Sequence, residues 1–181
     1  MTEPRPTDPA AGTAPVLERL ESTHEQIRYW LDELQGLVDH MEREGWDTWA
    51  RDKARAVIDF FSHTGRQHHL DVDRQVLPLV AGRGDQTIET DVERLRTDHG
   101  WIDEDWGELR AQLQPVAEGF GGCDVDTLRR ASDIFTDVLR EKVEREKSLL
   151  PPAERALAEA KDRGAAESDA QAAAASRSAM S

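Results

Sequence analysis

QHHLDVDRQVLPLV, residues 67–80, is the stretch whose reading decides the fold. On a helix, positions i and i+4 lie on one face, so His69 and Asp73 reach the same point in space. An imidazole nitrogen beside a carboxylate oxygen suits iron, manganese or zinc. Val72, Val76, Leu79 and Val80 continue that face as an apolar stripe, which aims it at a core. Polar groups on a core-facing stripe need partners, because burying them alone is costly. A solvated helix surface that happens to carry His and Asp is the plain alternative. What other helices bring to the same place separates the two.

On the N-terminal side, a first helix is expected from about Ala14 to Glu44. Leu17, Leu20, His24, Ile27, Leu31, Leu34, Val38 and Met41 repeat at steps of three and four, as one seam of a helix in a bundle does. His24 stands where a Leu would continue the seam. Gly45 closes this helix and Asp47 caps the next, which carries Trp49, Val57, Phe60 and Phe61 and weakens around Ser62–Gly65 before the opening stretch. A third helix starts near Thr87 or Thr90, with Val92, Leu95, His99, Ile102, Trp106 and Leu109 inward. Asp103 follows His99 by four residues, repeating the His69/Asp73 spacing. The fourth, from Asp124 or Asp126, turns Leu128, Ala131, Phe135, Val138 and Leu139 inward, and Pro151 and Pro152 are expected to end or kink it.

Four amphipathic helices joined by short Gly/Pro turns predict an all-α, up-down-up-down four-helix bundle. Its expected extent is residues 15–162, with disordered tails at 1–14, rich in Pro, Thr and Ala, and at 163–181, rich in Ala. His24, His69 and His99 occupy seam positions near the middle of three helices, hence at similar height in an antiparallel bundle. One seam histidine is more often a satisfied core residue than a ligand. Three together, two with a carboxylate at i+4, are hard to obtain by accident.

The chain has 181 residues, 33% of them charged, and a formal net charge of −14. That balance argues against nucleic acid or an anionic membrane as partner. A single cysteine, Cys123, excludes an internal disulfide and a Cys-based zinc or iron–sulfur site. No apolar run approaches the roughly 20 residues of a membrane span, and residues 1–15 lack a signal pattern. A cytoplasmic location is the expectation, as a monomer or homodimer.

The core resembles the hemerythrin-like, HHE cation-binding family of four-helix bundles. The matching pieces are THEQI around His24, the HHLDVDRQVLP run from His68 to Pro78, the DHGWIDEDW run from Asp98 to Trp106, and, more weakly, EREKSLLP ending at Pro151. The resemblance implies a non-haem di-iron centre. One iron takes a His from each of helices one and two; the other takes two from helix three and one from helix four. Carboxylates of helices two and four bridge them. By position, His24 and His69 would bind the first iron, Asp73 would bridge, and His99 would bind the second. The next family histidine falls on Asp103. Anchored on Pro151, helix four supplies Glu141 in place of its histidine and Glu146 as the other bridge. Anchored on Pro152, Lys142 and Lys147 would stand there and spoil the site. His68 reads as a neighbour of the ligands or a solvated residue, His40 and His63 as surface residues.

The implied set is three histidines and four carboxylates. It is either a carboxylate-rich site for two non-haem iron ions, with manganese or zinc as partial substitutes, or a site that has decayed. Four carboxylates balance two Fe(II) ions, and anionic oxygen ligands favour the higher oxidation state. That points to reaction with O2 or peroxide, or oxidative iron handling, rather than reversible oxygen carriage. An O2- or metal-binding or sensing protein without turnover, and a bundle with a degenerate site, stay open.

Overall fold

The computed structural model describes residues 9–120 and 124–178, and within them the chain is helical without a strand. Helix α1 spans Pro9–Glu44. The second long rod, residues 48–80, is a composite: α2 (Thr48–Phe60), a π-helical turn (Phe61–Gly65), α3 (Arg66–Asp71), a second π turn (Val72–Val76) and α4 (Leu77–Val80). Helix α5 spans Gln86–Glu118 and α6 spans Val125–Ser178. α1 packs on α2 and α6, and α5 on the same two, which closes the expected up-down-up-down bundle.

The helix ends follow local chemistry. The Asp47 carboxylate accepts the Ala50 N–H at 2.8 Å, and Asp85 accepts from Thr87 and Ile88, each satisfying amides that a helix start leaves unpaired. Gly119, at φ +85°, ends α5 in the left-handed conformation that favours glycine, donating to the Pro115 and Val116 carbonyls.

Pro151 and Pro152 do not end the fourth helix. Beyond them Ala153, Ala156 and Leu157 are buried, and Leu157 joins Leu17, Leu20 and Leu149 in one apolar cluster. Packing carries the helix past the two missing amides. α6 then continues along the Ala-rich stretch, where residues 161–168 are exposed and add nothing to the core. The expected tails at 1–8 and 179–181 lie outside the described residues; 9–14 and 163–178 are helical.

The core is divided. One cluster holds Ile27, Leu31, Phe61, Ile102, Phe135 and Leu139, among others. A second holds Leu17, Leu20, Val72, Val76, Leu95 and Leu149. Between them lies a buried polar layer of His24, His68, Lys142 and Glu146.

The two π turns set which side of the second rod faces that layer. From Phe61 onward its buried side runs through Phe61, Gly65, His68, Val72, Val76 and Val80, mostly one residue in four, with Leu77 buried beside Val76. A regular α-helix turns about 100° per residue, so a one-in-four stripe drifts by roughly 40° per step. The wider π turns take up the drift. Each has a local cause. Pro78 offers no N–H to the Arg74 carbonyl, and the Leu77 N–H reaches back five residues to the Val72 oxygen. In the first turn, a Cβ at position 65 would lie 3.3 Å from Phe61 Cδ1, so the turn closes around a glycine.

Candidate metal centre

α1 supplies His24, the segment between the two π turns supplies His68, and α6 supplies Lys142 and Glu146 one turn apart. The two imidazoles meet edge to face, ring centroids 5.0 Å apart at 74°. Glu146 Oε2 lies 2.9 Å from His24 Nε2 and 2.8 Å from His68 Nε2. Its other oxygen, Oε1, accepts from Lys142 Nζ. All four side chains are at most 3% exposed.

Electrostatics fix the charge states. Burial alone would push the Glu146 carboxyl up, but the Lys142 ammonium and the imidazoles outweigh it and hold the carboxyl well below the ordinary carboxylate range. Burial pushes the His68 imidazole down, and the attraction of Glu146 does not fully restore it. The layer thus favours an ionised Glu146 carboxylate beside a neutral His68 imidazole.

This donor set fits a cation. Two imidazole nitrogens and a carboxylate oxygen converge within 4.8 Å of one another in a buried place. Two histidines and one carboxylate with open positions is the arrangement that suits non-haem Fe(II). The support behind the ligands is thin: His24 Nδ1 and His68 Nδ1 are buried without a hydrogen-bond partner. Metal-binding histidines usually donate their other N–H to an acceptor, and losing that contact typically costs 10–100-fold in affinity.

The sequence profile of the hemerythrin HHE cation-binding domain matches residues 16–153, most of the chain. The chain belongs to that family. An uncharacterized protein of Haemophilus influenzae is 24% identical over 100 residues, covering 55% of this chain and 58% of the relative. The chain therefore spans a little over half of that protein's length. No solved structure matches.

Of the residues expected as ligands of this hemerythrin-like protein, the structure brings together His24 and Glu146. The histidine it adds from the second rod is His68, not His69. His69 is half-buried, its ring 6.1 Å from that of His68, and it lines a neighbouring cavity with Asp103. Asp73 and Asp103 are exposed. Glu141 is exposed too, and accepts from Arg145, which also donates to Asp98 at 2.6 Å. His99 is helical, but its side chain lies outside the described residues. Helix four thus turns Lys142 and Glu146 inward, a combination that neither proline-anchored register supplies whole.

A single difference accounts for the second rod. An unbroken α-helix puts His69, Asp73 and Val76 on one face; the π turns bring His68, Val72 and Val76 inward instead. The signal was the strict four-residue spacing of His68, Val72, Val76 and Val80, which only a locally widened helix keeps on one side. The cavity holding His69 has a volume of about 320 Å³. Ile27, Phe61, Ile102, Trp106 and Phe135 make it largely apolar, and Arg66 and Arg110 add positive charge. It begins at Ile27, one turn from His24 on α1.

Proposed function

We propose that this protein binds iron inside its bundle at His24, His68 and Glu146, and that the loaded centre reduces O2 or peroxide. The observation that carries the reading is the convergence of His24 Nε2, His68 Nε2 and Glu146 Oε2 in a buried layer that separates two apolar cores. Bound iron would supply one-electron chemistry at that point. The chain's own part is to hold His68 neutral and Glu146 ionised, the ligand-competent forms. Apolar cores on both sides limit the entry of bulk water, and the neighbouring cavity suits a small apolar molecule such as O2.

The seven-residue, two-iron arrangement is the second reading. One observation favours it: His69 and Asp103 line a single cavity beside the buried layer. A cation-binding protein without turnover differs from both in chemistry rather than in ligands.

Anaerobic Fe(II) loading followed by an oxygen electrode tests the redox step. O2 or peroxide consumed above the free-iron background, and not returned under argon, is the expected result. Uptake that argon reverses would make the protein an oxygen store. Iron binding with no consumption would leave a cation-binding role alone.

A further inference from the structure

Glu146 is the one ligand of the cluster with two coordinating atoms, and the two are committed differently. Oε2 faces both imidazoles, whereas Oε1 is bound by Lys142 Nζ. A carboxylate that bridges two metal ions must place one oxygen on each. Here the Oε1 position is already filled by a cation, and that cation is covalently part of the chain.

Three further placements agree. Lys142 is 1% exposed, so its side chain lies wholly inside the bundle. Such a buried charge persists only against a partner of opposite sign, and among the described residues Glu146 Oε1 is that partner. Val72, one turn beyond His68 on the same buried side, is apolar and packed into the core, so that position offers the layer no carboxylate. Glu141, the other carboxylate that helix four could offer, is exposed and held by Arg145. One carboxylate and one ammonium cancel, so a single divalent ion brings two net charges into the layer and a second would bring four. Low-dielectric surroundings resist that steeply.

We propose that Lys142 takes the place of a second metal ion, so that the centre holds one cation on His24, His68 and Glu146 Oε2 while the ammonium stays on Oε1. The inference rests on the reading that a cation binds this cluster. It makes Lys142 a positioning residue: it fixes Glu146 as a ligand through one oxygen and repels the ion that is bound.

The test is metal stoichiometry and affinity of the full chain, read by elemental analysis and by anaerobic Co(II) titration followed optically. Wild type should hold one ion per chain, and Lys142→Met should bind it at least tenfold more tightly. Lys142→Arg, which keeps the charge, should stay near the wild-type affinity. Should Lys142→Met fail to fold by circular dichroism, Lys142→Gln serves in its place. An empty wild type beside a one-ion Lys142→Met would overturn the inference, since the ammonium would then exclude the ion rather than sit beside it. Two ions per wild-type chain would overturn it and leave cation binding standing. So would an affinity unchanged or weakened on removing the ammonium. No ion in wild type or in either neutral variant would overturn the cation-binding reading itself.

Discussion

Glu146→Gln strands a charge. In the metal-free protein the Glu146 carboxylate accepts from Lys142, His24 and His68, all within the buried layer. Gln has nearly the same shape, so little packing is lost, but the Lys142 ammonium is left in the core without a counter-charge. Removing one partner of a buried ion pair costs about 3–5 kcal/mol. For a chain of this length each kcal/mol moves the midpoint by about 2–4 °C, so a fall of about 6–20 °C is expected. Lys142→Met in the same background removes the stranded charge. Replacing both members of a buried pair is often close to neutral, so the double variant should recover to within about 2 kcal/mol of wild type. The pair should therefore couple by at least the 0.5–3 kcal/mol usual for contacting residues. Urea unfolding of the four metal-free proteins, followed by circular dichroism, gives the cycle directly. A Glu146→Gln cost below about 1 kcal/mol, or a double variant as unstable as the two single losses added, would mean that the pair is solvated and the layer is not a closed polar core.

The metal-free protein should also lose stability as acid is added, in two steps. His68 is held below its usual pKa, so the unfolded chain takes up the proton first and stability falls as pH drops below about 6.5. Glu146 is held far below its own, so its contribution is present above about 4.5 and is lost as pH falls further toward the folded value. His68→Gln should flatten the upper step in a series of thermal melts from pH 7 to pH 5; an unchanged slope would place the titrating group elsewhere. Leu157→Ala tests the helix beyond the prolines. Leu157 is buried against the Leu17 and Leu20 cluster, and its truncation should cost about 2–3 kcal/mol in urea unfolding.

The bundle was legible because its seams are long and regular. Leu17, Leu20, Ile27, Leu31, Leu34, Val38 and Met41 all lie in the buried core of α1, and His24 lies in line with them. Asp47 caps where its residue type and its place before an apolar run indicate. Half of the site was less legible, because a helix wheel assumes one pitch throughout. The π turns at 61–65 and 72–76 change the pitch around the HHLDVD run and turn His68 rather than His69 into the buried layer. The four-residue spacing of Val72, Val76 and Val80 carried that information; the attraction of an i,i+4 His/Asp pair hid it. On α6, proline was a poor anchor for register, since the helix runs through both prolines and Lys142 and Glu146 turn inward from a face that neither alignment assembled. A buried lysine is also hard to foresee from sequence, because lysine is almost never fully buried unless paired.

The contrast between His68→Ala and His69→Ala bears most directly on where a cation binds. Adjacent residues share composition, local helix and mutational disturbance, but only His68 Nε2 meets Glu146 Oε2, at 2.8 Å. After anaerobic Fe(II) loading and desalting, iron per chain should collapse in His68→Ala and stay at the wild-type level in His69→Ala. The reverse pattern, with iron lost on changing His69 and kept on changing His68, would contradict the site described here.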